Sequence, residues 1–225
     1  MAKPVKRRYR SERRQEQADQ TRLRVLDAAD IVFRQRGYER ASIAAIAFEA
    51  GVADETVYAH FKNKRTLLGE LVQRAVRGAD PRPVPEQSAP RALAQVTDQR
   101  EQLRLFAADI VQRLERAAPL VALVGQAARG EPELAQLLEQ LHAHRLRNLR
   151  TLVDALAVNG PLRLPREAAT ETVWALTSPE LHQLLVRQRR WSRRRYTSWL
   201  TQSLEALLLP PECYSGIGNR TPLQT

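Results

Sequence analysis

Ser42-Ile-Ala-Ala-Ile-Ala-Phe-Glu-Ala-Gly51-Val-Ala-Asp-Glu-Thr-Val-Tyr-Ala-His-Phe61 carries the apolar pattern of two short helices on either side of Gly51. Ser42 precedes Ile43, Ile46 and Ala47, where its hydroxyl can accept from the free N–H groups that open a first helix. Gly51 stands where that helix must stop and the chain turn sharply, and glycine takes the left-handed backbone angles such a turn needs. Val52, Val57 and Phe61 supply the buried side of a second helix, whose other face holds Asp54, Glu55, Tyr58 and His60. This is a helix-turn-helix, and a second helix of this size fits a major groove.

Working outward, Leu23, Leu26, Ala29, Ile31, Val32 and Phe33 fall broadly at helical spacing over 21–36, and Gly37-Tyr38 closes that helix. Downstream, Asn63 is placed to cap a fourth helix over 64–78, with Leu67, Leu68, Leu71 and Val72 as its buried stripe. Residues 19–78 are thus expected to form a DNA-binding domain.

Gly51-Val-x-x-x-Thr56-Val57-Tyr58-x-His60-Phe61-x-Asn63-Lys64-x-x-Leu67-Leu68 resembles the tetracycline-repressor-like (TetR/AcrR) transcriptional regulators, and the resemblance extends upstream through 21–38. It implies an all-α protein: an N-terminal three-helix helix-turn-helix domain followed by a larger helical domain for ligand binding and dimerisation. By the same resemblance Tyr58, His60 and Lys64 hold phosphates, with hydroxyl contacts from Ser42 and Thr56, which fixes register without reading sequence. Base reading falls to Ala53, Asp54, Glu55 and Thr56. Ala53 and the Thr56 methyl suit a thymine methyl, and Asp54 or Glu55 can accept from cytosine N4. The two acids depart from the family's usual basic or small residues there. The alternative is that both only favour the positive end of the helix dipole, with Asp54 as the cap in place of Ala53.

Charge agrees with a DNA partner. The 225-residue chain has 36 Lys/Arg against 25 Asp/Glu, a net charge of +11 and an isoelectric point near 10.7. Residues 1–78 hold 17 of those basic and 10 of those acidic side chains, so the smaller N-terminal part is the more basic. Residues 1–18, with Lys3, Lys6, Arg7, Arg8, Arg10, Arg13 and Arg14, read as a flexible basic arm, either gripping DNA beside the main site or merely solvated. A single cysteine, Cys213, allows no intramolecular disulfide, and no apolar run approaches the ~20 residues that span a bilayer, so no membrane contact and a cytoplasmic location are expected.

The second domain is expected over 79–209, with a flexible tail at 210–225. Four prolines within 80–90 suggest a loop, and beyond it helices are expected at 99–117, 119–129, 132–159, 166–190 with a break at Ser178-Pro179, and 192–209. Tyr196, Trp199, Leu200, Ser203, Leu204 and Leu207 make one continuous helical face, which either packs on its own domain or meets a second subunit. In the resembling family the last two helices of each subunit pair as a four-helix bundle, which makes Tyr196, Trp199, Leu200, Leu204 and Leu207, with Trp174, Leu181, Leu184 and Leu185, the expected homodimer interface. Six arginines lie within 187–195, as a solvated face or as an anion site.

In the helix over 132–159, Arg145 and Asn148 fall on or beside the face that holds Leu134, Leu137, Leu138, Leu141, Leu149, Leu152, Val153 and Leu156. Polar groups there need partners, either a mainly apolar, small-molecule effector or an internal salt bridge such as Arg145 with Asp109 or Glu115. His142 and His144 are two apart and point in different directions on a helix, so no metal site is expected. No nucleophile, base and stabiliser converge in the sequence, so an enzyme is not expected, and no cofactor is implied. The expected protein is a ligand-responsive regulator that binds a palindromic operator as a homodimer, with repression the sign that the family favours.

Overall fold

The computed structural model describes the backbone of residues 5–211 and side chains from Arg13 onward, and every regular element among them is helical. Helices α1 (Val5–Arg40), α2 (Ile43–Ala50), α3 (Asp54–Phe61) and α4 (Lys64–Arg77) form the N-terminal unit. Then come a single 3-10 turn at Val84–Glu86, α5 (Ser88–Ala94), α6 (Gln99–Ala127), α7 (Pro132–Asn159), α8 (Arg166–Leu176), α9 (Pro179–Gln183) and α10 (Arg193–Leu208).

Helix α1 starts at Val5, so most of the segment expected as a flexible arm is helical. Between residues 5 and 36 there is no glycine or proline, and the Arg, Glu and Gln that fill the segment are strong helix formers. The helical run is broken at Gly37 (φ 73, ψ 172), where Gly37-Tyr38 was expected to close it. Of the expected tail at 210–225, residues 212–225, Cys213 included, lie outside the described residues.

Two apolar cores divide the molecule, and α6 runs through both. The first joins Val25, Phe33, Ile46, Val57, Phe61, Leu67 and Leu71 of the N-terminal helices to Leu120, Val121 and Val124 of α6 and Leu134 of α7. The second gathers Leu103, Val111, Leu149, Leu156, Val173, Tyr196, Leu200 and Leu204. The boundary expected at 78/79 is therefore bridged by a shared core. Each such side chain contributes about 1.5–3 kcal/mol when removed from water, so the two units are coupled by more than a linker.

Three local expectations are corrected. Helix α6 continues through Pro119, where a break was expected. A proline inside a helix costs about 3 kcal/mol, but Ala117, Ala118, Leu120 and Val121 around it are all buried, and Gln183 Nε2 donates to the Ala118 carbonyl at 2.7 Å. The proline-rich stretch is not all loop: Pro90 occupies the first turn of α5, where a missing N–H costs nothing. Gln87 holds the loop before it, donating through Nε2 to the carbonyls of Arg77, Asp80 and Arg82 at 3.0–3.1 Å. After the expected break, α9 runs into one turn of π-helix at Leu184–Gln188 rather than a regular helix to 190, and the chain reverses at Arg190 with φ 53.

Helix α10 also corrects the dimer expectation. Tyr196, Leu200 and Leu204 are fully buried inside their own protomer, where they pack on α6 and α8. A side chain with no exposed surface cannot meet a second subunit. Trp174, Leu181, Leu185 and Trp199 are half-buried, and only Leu184 and Leu207 of the nine are exposed, each at 45%. The stripe belongs to the core because it packs against the apolar faces of α6 and α8.

Candidate DNA interface and ligand cavity

The local chemistry of the helix-turn-helix follows its sequence. Ser42 Oγ accepts from the Ala45 N–H at 3.1 Å and opens α2. Gly51 closes it in the left-handed conformation (φ 65, ψ 41), its N–H bonding the carbonyl of Phe48. Val57 and Phe61 are buried while Ala53, Asp54, Glu55 and Tyr58 are exposed; Thr56 and His60 are half-buried. Ala53 occupies the cap position of α3 without a side-chain bond, so Asp54 lies inside the first turn with Glu55, at the positive end of the helix dipole, and is not the cap. Asn63 Oδ1 accepts from the Thr66 N–H at 2.8 Å and caps α4 as expected.

Lys64 is placed differently from a free phosphate donor. Its Nζ donates to the carbonyls of Tyr38 and Ala41 at 2.8 and 3.1 Å and lies 4.1 Å from the centre of the Tyr38 ring. It ties the end of α1 to α4 and thereby orients the motif. Sequence reasoning passed over Lys62, which is exposed in the turn between α3 and α4. Its backbone has φ 56, ψ −47, and the Asn63 N–H bonds the Phe61 carbonyl across it, a strained γ-turn. Phe48 was likewise passed over: α2 leaves it 88% exposed. An apolar residue in an apolar helix gives no signal of that kind in sequence.

Behind this unit lies a cavity of about 760 Å³. Its wall combines Val72 and Val76 of α4, Leu93 of α5, Phe106 and Ile110 of α6, and Leu141 and Leu152 of α7. Both Arg145 and Asn148 line it. Neither expected salt bridge of Arg145 forms. Asp109 instead holds Arg113 Nε and Nη2 at 2.7 and 3.0 Å, and Glu115 pairs with Arg193. Arg145 donates to Trp174 and Thr177, and burial lowers its pKa to about 10. His142 packs edge-on against Trp174 while His144 is exposed, and both border the cavity. Among the described residues no group of three His, Cys, Asp or Glu side chains is placed to hold a metal.

The cavity reaches α4 through Arg113, which lines it. Arg113 Nη1 donates to the Val76 carbonyl at 2.9 Å, and Arg116 Nε to that of Ala75 at 2.9 Å, so two carbonyls in the last turn of α4 are held by α6. Tyr38 adds a second link: its hydroxyl bonds Glu131 at 3.1 Å, and burial together with that carboxylate pushes its pKa up.

Residues 25–71 match the family model described as bacterial regulatory proteins, tetR family. That segment, from α1 into α4, is a domain of that family. A fatty acid metabolism regulator protein of Bacillus subtilis is 44% identical over 49 residues, 22% of this chain and 25% of that protein. The transcriptional repressor BepR of Brucella suis is 28% identical over 155 residues, 63% of this chain and 67% of its own. The match thus spans about a quarter of the length of the Bacillus relative. The solved structure of NalD, the secondary repressor of a multidrug efflux pump in Pseudomonas aeruginosa, shares the fold. It superimposes with a TM-score of 0.66 at 24% identity, over 86% of this chain and 98% of that one. The relatives' names are those of regulators and not of enzymes, and among the described residues no helix is long and apolar enough to cross a membrane.

Proposed function

We propose that this TetR-family protein is a ligand-responsive transcriptional repressor that binds a palindromic operator as a homodimer. The observation that carries it is the presentation of α3: Val57 and Phe61 anchor one side in the core, while Ala53, Asp54, Glu55 and Tyr58 stand exposed on the other. Tyr58 and His60 then donate to phosphates, with the Ser42 hydroxyl proton still available although its oxygen caps α2. Lys62 is the basic side chain that adds charge at this edge, and Lys64 positions the motif. Bases are read by Ala53, Asp54, Glu55 and the Thr56 methyl.

A dimer places two such helices roughly 34 Å apart, in successive major grooves on one face of DNA. Its interface uses surfaces that one protomer leaves open, Leu184 and Leu207 with the outer edges of Trp199 and Leu181. An effector in the cavity touches α4 directly at Val72 and Val76, and moves its last turn through Arg113 and Arg116. A change in the tilt of α4 alters the distance between the two recognition helices and weakens both half-sites at once.

The test is fluorescence anisotropy with DNA flanking the protein's own gene against scrambled DNA at one near-physiological salt concentration. Preference of about a thousandfold, with two subunits per site, is expected, and Tyr58→Ala should weaken it. Equal affinity for flanking DNA, scrambled DNA and a library of random duplexes would replace the regulator with a non-specific binder.

A further inference from the structure

One wall of the cavity is unlike the others. Helices α4, α6 and α7 each set buried residues into the cores as well as side chains into the cavity wall. Every residue from Ala89 to Gln95 borders the cavity, yet no residue of α5 is buried, and of its residues Pro90 and Leu93 alone are half-buried. The helix packs chiefly on α6. Its seven residues fall well short of the about 12–15 that sustain a helix in water without support.

The ends of this stretch are pinned and its middle is not. Before it, the buried Gln87 donates through Nε2 to the carbonyls of Arg77, Asp80 and Arg82, while its Oε1 accepts from Arg113. After it, Asn159 Nδ2 donates to the Val96 carbonyl at 3.1 Å and Gln99 Nε2 to that of Leu156 at 2.9 Å, which ties the approach to α6 onto the end of α7. Between these clamps, residues 88–95 make no hydrogen bond or ion pair beyond 87–96 among the described residues. Ala89, Pro90, Ala92, Leu93 and Ala94 are apolar, so an apolar body in the cavity would cover what the protein itself leaves in water.

We propose that α5 is the gate of the cavity: residues 88–95 swing between fixed points at Gln87 and Val96 to admit an effector, and close down on it once it is inside. This rests on the reading of the cavity as the effector site. The wall that moves is the one whose opening breaks no core contact but that of Leu93, at the edge of the second core. Opening at α4, α6 or α7 would instead expose residues that both cores need, so those walls stay shut while α5 opens locally.

Amide hydrogen exchange on the full chain, free and saturated with the uncharged apolar fluorophore N-phenyl-1-naphthylamine, tests this. In the free protein the amides of 91–96 should exchange within about tenfold of an unstructured chain, and the bound fluorophore should slow them by about tenfold or more. In stopped-flow binding, Asn159→Ala, which releases the clamp on Val96, should raise the association and dissociation rates by the same factor and leave Kd unchanged. Protection of 91–96 equal to that of α6 in the free protein, or exchange there that ignores the bound fluorophore, overturns the gate and leaves the cavity as effector site. Absence of fluorophore binding, or binding that survives filling of the cavity by Ile110→Trp, overturns both. The exchange pattern is read on the unaltered protein, so a variant that fails to fold does not decide the outcome.

Discussion

Gln87 Oε1 accepts from Arg113 Nη2 at 2.9 Å, and both side chains are almost wholly buried. One amide thereby connects the loop after α4, the salt bridge of Arg113 with Asp109, and the last-turn carbonyl of Val76. Gln87→Leu leaves three loop carbonyls and one guanidinium N–H without their partner. It should cost about 1–3 kcal/mol in stability, measured by urea denaturation, and raise amide hydrogen exchange at the end of α4. Unchanged exchange there would mean that α6 alone holds that turn.

Lys62 separates stability from DNA binding. Relief of its positive-φ strain by Lys62→Gly should stabilise the fold by about 1 kcal/mol, within the ~1–3 kcal/mol that such conformations store. The lost charge should weaken operator binding and flatten its salt dependence by about one phosphate contact per subunit. Thermal melts and anisotropy titrations on one preparation give both numbers. A lower melting temperature would refute the strain argument.

Lys64 and Tyr58 should behave oppositely. Tyr58 is 52% exposed, so Tyr58→Ala should shift stability by no more than ~0.5 kcal/mol while reducing operator affinity. Lys64→Ala loses two bonds to the end of α1 and should destabilise by about 1–3 kcal/mol. Equal destabilisation by both would contradict the placement of Lys64.

Leu207 and Leu200 lie two turns apart on the same side of α10, but Leu200 is fully buried and Leu207 is 45% exposed. Leu207→Glu should leave the helical circular dichroism intact and shift the sedimentation profile toward a single subunit, whereas Leu200→Glu buries a charge and should prevent folding. A Leu207→Glu protein that sediments as a dimer would move the interface elsewhere.

His182 is buried against Tyr196, with ring centres 5.0 Å apart, and its pKa is lowered by burial and then by Arg187. The unfolded chain therefore takes up the proton first as pH falls. Stability from this group is intact above the unfolded value of 6.5 and is lost as pH drops below it toward the lower folded value. The melting temperature should decline between pH 7 and pH 5, and more shallowly in His182→Gln; parallel curves would remove His182 from that decline.

The sequence by itself determined the helices whose ends carry their own chemistry. Ser42, Gly51, Asn63 and Pro132 act on backbone groups within a few residues, so their roles are fixed before anything packs. The same locality made the buried side of α3 legible, because Val57 and Phe61 are set by one helical period. Tertiary structure decided whatever depended on which surface came near. It carried α6 through Pro119, since burial on both sides outweighs a lost backbone bond. It turned the stripe of Tyr196, Leu200 and Leu204 inward, because an apolar face takes the nearest core and its sequence does not say whose core that is. It gave Asp109 to Arg113 and left Arg145 half-matched, since a charged side chain of this length has several partners within reach and only packing chooses among them.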